Sequence, residues 1–367
     1  MSARSTASGG AGRRAGVRFD WKAVLGVLVS IGLLYYALRD VDFYDVARRV
    51  LLAHPWLLLL AVAINFLGFP LRAYRWKALL EPVRVTRFGN RFAATCVGFM
   101  ANNLLPARVG EFARAYALSR LEPVRMTASF GSLVVERIFD MIVVVASLLL
   151  AMTLPGFPAM NETMPDVWGA AETLLTIFAA GFGVVLIMVI WPERSVAIFE
   201  AIARRVLPVG LRRKVIDLLE GFLQGLTAVR RPVLVLRIAG WSCAVWGVNA
   251  LSFWIGFRAF GIQVPFSGAL FLQSIIALAV SLPSVPGFFG IYEAAVRVGL
   301  VGIWGVSTTP AIAFALGFHI TTFIPVTVFG LVYVWRLGLT WSEVGRSGQA
   351  VDRAVGSAVD TAAERDP

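Results

Sequence analysis

Apolar runs dominate this chain and decide what it can fold into. Ala23–Leu38, Pro55–Leu71, Met126–Leu154, Thr173–Trp191, Val233–Phe257 and Pro310–Trp335 each approach or exceed the ~20 residues that a helix needs to cross a bilayer. Charges collect between the runs. The chain of 367 residues is 58% hydrophobic and 15% charged, where a soluble domain carries about 25% charge. The expected fold is an all-α polytopic membrane protein.

Basic flanks set the expected sidedness. Residues 1–18 read as a disordered basic tail. Arg13, Arg14, Arg18 and Lys22 precede the first run and hold the N-terminus in the cytoplasm. Leu38-Arg39-Asp40 follows that run instead of a small-x-small cleavage site, which argues against a removed signal peptide. Arg39–His54 is balanced in charge and suits an outside loop. Arg72, Arg75, Lys77, Arg84, Arg87 and Arg91 face only Glu81, which suits the cytoplasm. Arg72 and Arg75 read as a cytoplasmic rim, either as anchors or as attractors of anionic headgroups. The loop 155–172 carries Glu162, Asp166 and Glu172 without a basic residue and is expected outside. Within 194–230, Leu211, Val215, Leu218, Leu219, Phe222 and Leu226 recur at helical spacing, opposite Arg212, Arg213 and Asp217. That pattern predicts an amphipathic helix on the cytoplasmic surface. The polar segment 341–367 is expected to be a disordered cytoplasmic tail, leaving one membrane domain at 19–340. The net charge of +12 follows from these basic flanks, so nucleic acid is not an expected partner. Cys96 and Cys243 have neither disulfide nor metal-ligand spacing, and no metal or cofactor is expected.

Two runs are too short to cross. Phe92–Pro106 is interrupted by Asn102, Asn103 and Pro106, and Arg108, Gly110, Glu111, Arg114 and Arg120 follow. Both of its flanks are basic, so a re-entrant hairpin would keep both in the cytoplasm. Ser267–Leu282 ends at Pro283-Ser284-Val285-Pro286-Gly287-Phe288-Phe289-Gly290, and Ile291–Ile303 follows with Glu293 and Arg297. This pair is expected to enter and leave on the outside. The sum is about six spanning helices plus two broken hairpins (eight hydrophobic segments), the plan of an inverted-repeat transporter. No sequence repeat between the halves is visible, and eight ordinary spans would also return both termini to the cytoplasm.

Polar residues at membrane depth form three clusters: Asn102, Asn103, Arg108, Glu111 and Arg114; then Glu136, Arg137 and Asp140; then Glu293 after the Pro286-Gly287 break. Pro106, Gly110, Pro286, Gly287 and Gly290 read as hinges or half-helix breaks. A charge at the bilayer centre costs about 2.5–3.5 kcal/mol even on the lenient scale. Two readings compete. One is an internal ion-pair network that orients helices. The other is a polar cavity for an anionic headgroup, which the planar arginine fork and a half-helix N-terminus both suit. His319, among apolar neighbours, reads as a packing residue. No Walker A loop, G-x-S-x-G elbow or H-E-x-x-H motif is present, so neither an enzyme nor a nucleotide-driven pump is expected.

Four motifs stand in order: Arg75-Trp76-Lys77-Ala78-Leu79-Leu80, then Asn103-Leu104-Leu105-Pro106-x-Arg108-x-Gly110-Glu111-x-x-Arg114, then Glu136-Arg137-x-x-Asp140, then Pro286-Gly287-x-x-Gly290-x-x-Glu293. Together they resemble the flippase-like transmembrane domain of the lysylphosphatidylglycerol synthase family, over roughly residues 20–340. The resemblance implies a multi-pass protein of the bacterial cytoplasmic (inner) membrane. Such a protein would move an anionic or modified phospholipid, or a lipid-linked intermediate, between leaflets, with the matched charges lining its path. About 30 residues follow the last run, so the aminoacyltransferase domain of full-length synthases, and lysyl transfer, are not expected. Membrane lipids are the expected partners, with a lipid-synthesis enzyme or a second copy of the chain beside them. The alternatives are a glycosyltransferase-like membrane enzyme using a lipid-phosphate donor, with Glu111, Glu136 or Asp140 as base, and a secondary transporter of a small solute.

Overall fold

The computed structural model describes residues 21–105, 109–158, 231–281 and 285–347, with single positions between 176 and 201. Pro106, Arg108, Pro283 and Ser284 lie outside the described residues. So do the tails 1–18 and 348–367 and most of the loop 155–172. The crossing expected at 173–191 and the amphipathic segment 194–230 also lie there, apart from single positions. All regular structure among the described residues is helical.

Two long antiparallel helices form the spine. Helix α3 spans Pro55–Leu80 and α7 spans Pro232–Ala259. Proline in the first turn suits each start, because that turn's N–H groups lack helical partners anyway. At ~1.5 Å per residue both exceed the ~30 Å hydrocarbon layer. The His54 N–H donates to Ala259 O at 2.8 Å at one end. Arg237 meets Glu81 at 3.3 Å at the other. Between them Ser252 Oγ donates to Ala61 O at 2.7 Å, and Asn65 Nδ2 donates to Asn249 Oδ1 at 3.2 Å. The two ends are called here the Leu80 end and the Ala259 end.

Before the spine stand α1 (Trp21–Leu38) and α2 (Phe43–Leu51). The sequence suggests a plain loop at α2, yet Asp42 caps it by accepting the Tyr44 N–H at 2.7 Å. Val46 and Val50 then give it an apolar face packed near Phe257 and Phe314.

The short run after α3 is a closed hairpin of α4 (Phe88–Leu104) and α5 (Gly110–Leu121). Arg91 fixes the entry to α4 by donating to Ala73 O at 2.9 Å and to the hydroxyl and carbonyl of Thr86. At the mouth, Asn90 Nδ2 donates to Glu122 Oε1 at 2.8 Å. Deeper in, Gly98 and Gly110 face each other so closely that a Cβ on Gly110 would strike Gly98 O and the Asn102 side chain. Near the tip, Asn102 Oδ1 accepts the Gly110 N–H at 2.8 Å. The chain thus returns to the Leu80 end from which it set out. Neither arm, at 17 and 12 residues, matches the thickness of the hydrocarbon layer.

A second hairpin enters from the Ala259 end. Its arms are α8 (Phe266–Ala279) and α9 (Ile291–Val296), the latter extended by a wider π turn over Arg297–Ile303. Phe266 packs edge-on to Trp254, Gly268 lies beside Trp304, and Gly299 lies beside Leu272 and Ile275. The arms are joined through a 3-10 turn at Pro286–Phe288. Gly287, Phe288 and Gly290 all adopt positive φ there, at 72°, 62° and 89°. Glycine suits two of these positions, because a side chain there meets its own backbone. By length and composition Pro286–Ile303 passes as a span, but these three residues break it.

The hairpins are closed in by α6 (Met126–Thr153) and α10 (Thr308–Arg336). Packing is reciprocal: α4 of the first half lies along α10, and α8 of the second lies along α6. Each half reads long helix, hairpin, long helix, so the inverted arrangement is visible in packing where no sequence repeat is. The segment at 341–367, expected to be disordered, begins with a short helix α11 at Trp341–Gly345. The Thr340–Glu343 capping box nucleates it, and Glu343 ties it to α5 through Tyr116 at 3.2 Å.

Candidate functional site

Four arginines from three helices converge on two carboxylates of α6. Glu136 and Asp140 sit one turn apart and point to the same side of the helix, which the i,i+4 spacing requires. Arg75 reaches both: its guanidinium lies 2.9 Å from Glu136 Oε1 and 2.5 Å from Asp140 Oδ1. It also donates to Ser242 Oγ on α7 at 2.9 Å. Arg114, from the first hairpin, lies 2.6 Å from Glu136 Oε1 and stacks over the Trp76 ring at 4.1 Å. Arg137 spans Glu136 at 3.0 Å and Asp140 at 3.2 Å. Arg72 stands 4.0 Å from Asp140 and over the Phe99 ring at 5.1 Å. Trp246 of α7 donates its indole N–H to Asp140 Oδ1 at 2.9 Å. Arg75 and Glu136 are completely enclosed.

Such a cluster is costly unless each charge is paired, and here four guanidiniums meet three carboxylates, Glu136, Asp140 and, across the cavity, Glu111. Arg114 Nε and Nη2, and Glu136 Oε2, meet no hydrogen-bond partner among the described residues. Arg137 keeps 42% of its side chain exposed. That exposure opens into a cavity of about 380 Å³. The cavity sits where the two hairpins approach: Phe99, Asn102 and Glu111 come from the first, and Leu278, Val280 and Phe288 from the second. Arg72, Arg114, Arg137 and Asp140 give it a polar wall, and Met141, Val144 and Trp246 an apolar one. An anionic group with attached hydrocarbon matches both walls.

The structure brings Arg72, Arg75, Asn102, Glu111, Arg114, Glu136, Arg137 and Asp140 together. Arg72 and Arg75 are not on an exposed rim. α3 continues as a helix past Leu71 and carries both inward, where the carboxylates of α6 hold them. Asn103 turns away from the cluster and donates to Thr327 Oγ1 on α10 at 2.9 Å. Glu293 also stands apart: its carboxylate meets His319 Nδ1 at 2.7 Å and accepts the Gly290 N–H at 2.6 Å. His319, read from sequence as a packing residue, is therefore a hydrogen-bond partner of Glu293. A second cavity of about 210 Å³ runs beside it, lined by Asn65, Arg72, Asn103, Asn249, His319 and Thr322. Trp76, Ser242 and Trp246 were invisible as site residues, because neutral side chains in apolar runs carry no sequence signal of their partners. Among the described residues no group of three or more His, Cys, Asp or Glu gathers to hold a metal.

Comparison with known proteins agrees on the whole domain. The family model described as the lysylphosphatidylglycerol synthase TM region matches residues 23–330. The chain is 25% identical to the glycosyltransferase AglD of Haloferax volcanii over 81% of its own length and 51% of that protein. It thus spans about half of that relative. A UPF0104 membrane protein of Methanothermobacter thermautotrophicus is 23% identical, over 79% of this chain and 86% of the relative. A second from the same organism is 24% identical, over 78% and 85%.

Proposed function

The chain belongs to the family of the lysylphosphatidylglycerol synthase TM region, and from that premise we propose that it is a lipid translocase. It is a multi-pass membrane protein, and its substrate is an anionic or modified phospholipid, or a lipid-linked intermediate. The headgroup phosphate enters the cavity between the hairpin tips, and the acyl chains stay in the membrane. Arg137 and Arg114 offer guanidinium N–H groups to the phosphate oxygens, and the α5 N-terminus adds its positive dipole end. Glu136 and Asp140 hold the arginines in place, so the site is formed before the lipid arrives. The observation that carries this reading is the convergence of guanidinium groups on a cavity with an apolar wall, where Nε and Nη2 of the buried Arg114 have no hydrogen-bond partner among the described residues.

The Leu80 end carries Arg84, Arg87, Arg120, Arg125, Arg231 and Arg336 and faces the cytoplasm by the positive-inside rule. The membrane is the cytoplasmic membrane of a bacterium. Membrane lipids are the partners, with a lipid-synthesis enzyme supplying or consuming the substrate. A photoactivatable phosphatidylglycerol analogue tests the site. It is expected to crosslink peptides carrying residues 98–114 and 133–144, in competition with unlabelled phosphatidylglycerol but not with phosphatidylcholine. Labelling confined to the outer faces of α1 and α3 would refute the assignment.

The AglD match supports a second reading, an enzyme acting on a lipid-phosphate sugar donor with Glu111 as base. Glycolipid formation by the purified chain would establish it; lipid exchange without product would remove it.

A further inference from the structure

Glu293 is a buried carboxylate that the arginine cluster does not reach. It is fully enclosed, and among the described residues its ion-pair partner is His319 alone. Glu136 and Asp140 are held by arginines, which stay charged at any physiological pH. Histidine is the side chain that ordinarily gains and loses a proton between about pH 5 and 8. We propose that the Glu293–His319 pair is a proton-binding site that couples lipid movement to the transmembrane proton gradient, a proposal that rests on the translocase reading above.

The geometry specifies where the proton goes. A separation of 2.7 Å between Nδ1 and Oε1 requires one hydrogen between them, and we assign it to Nδ1, donating to the carboxylate. Nε2 is then the nitrogen that takes up and releases a proton. Uptake turns a pair of net charge −1 into a neutral imidazolium–carboxylate pair, and only the Nε2–H bond forms or breaks. His319 lines the smaller cavity, which gives the proton its access.

The surroundings leave that proton as the main variable. On α9 itself, the Tyr292 ring stacks on His319 at 4.1 Å. From α3, Arg72 shares the cavity. From α1, Ser30 O lies against Gly290; from α4 and α7 come the neutral Asn103 and Asn249. Helix α8 has no ionisable side chain. Arg297 is turned away to the carbonyls of Ala37 and Arg39.

The pair is also placed to move something. Glu293 restrains the positive-φ break by holding the Gly290 N–H, and His319 ties that break to α10. Helix α10 in turn packs against the first hairpin, with Gly330 over Met100. Arg72 lines both cavities, so a change of one charge beside the smaller cavity alters the field at the headgroup site. A proton shifts such an equilibrium only if the two arrangements bind it with different affinity. In the proposal, separating the broken helix from α10 parts His319 from Glu293, and that loss of the partner supplies the difference.

The test uses the full chain in phosphatidylglycerol vesicles with the membrane potential clamped at zero. Headgroup-labelled phosphatidylglycerol exchange and internal pH are read together. A one-unit pH step, about a tenfold proton ratio, is expected to drive lipid asymmetry approaching tenfold for one-to-one coupling. Reversing the step must reverse the asymmetry, a readout that needs no variant. His319→Gln and Glu293→Gln are expected to abolish both the asymmetry and the proton flux. Wild-type exchange that ignores the gradient, without proton flux, overturns the coupling and leaves the translocase standing. Proton flux that depends on His319 without any lipid exchange supports the proton site and overturns the lipid reading. Neither signal overturns both.

Discussion

Replacing Glu136 by glutamine changes few atoms and should cost much. Oε1 of Glu136 accepts Arg75, Arg114 and Arg137 at 2.9, 2.6 and 3.0 Å. Once that charge is gone, four guanidiniums are left with Asp140 and, across the cavity, Glu111. Arg75 and Arg114 are enclosed, so water cannot compensate. Breaking a buried pair by removing one partner costs about 3–5 kcal/mol, because the remaining charge is left uncompensated. That corresponds to a fall of roughly two to four orders of magnitude in the folded-to-unfolded ratio. Reversible unfolding in mixed micelles, followed by tryptophan fluorescence, reads this directly. Adding Arg114→Gln should restore part of the loss, because the excess cation goes with it, and the pair should show a coupling energy of about 1–3 kcal/mol. A Glu136→Gln loss below about 1 kcal/mol, or additive single effects, would mean that the cluster is solvated and that the account of the site is wrong.

Other expectations follow from single positions. Gly110→Ala should destabilise the protein by about 1–3 kcal/mol and lower its folded yield in gel filtration, because the new methyl meets Gly98 O and the Asn102 side chain. Hydrogen bonds from the Thr340 N–H and hydroxyl hold the Glu343 carboxyl below the usual carboxylate range. A lowered folded value stabilises the docked helix above the ordinary ~4.3 and loses that contribution as pH falls through the folded value. Amide-exchange protection at residues 340–346, measured against the intrinsic rate at each pH, should therefore fall in acid and stay high at neutral pH.

Much of this architecture was legible in the sequence because the bilayer penalises error so heavily. Amides and a proline inside a 15-residue apolar run, with charges just beyond it, pointed away from an ordinary span, and the basic flanks favoured a hairpin while leaving eight ordinary spans open. Glu136, Arg137 and Asp140 announced a buried ionic cluster for the same reason. Pairing was not legible. Arg75 and Asp140 are 65 residues apart, and spacing reveals partners only along one helix. Arg72 and Arg75 consequently looked like surface anchors, and Glu293, a cluster of its own in the sequence, showed no partner there. His319 showed no partner at all, because Glu293 sits on another helix behind a break that only positive φ values explain.

The central claim is that the arginine-rich cavity carries an anionic headgroup between leaflets. Its most direct test is the exchange of headgroup-labelled phosphatidylglycerol in vesicles at equal pH on both sides, for the wild type and for Arg137→Gln. Arg137 is half exposed to the cavity, so its loss should spare the fold more than loss of Glu136 would. A lost charge-assisted contact of about 1.5–3 kcal/mol slows exchange roughly ten- to a hundredfold. The account predicts wild-type exchange well above empty vesicles and that fall in the variant. Wild-type exchange no faster than empty vesicles, or an Arg137→Gln protein as fast as wild type, would contradict it.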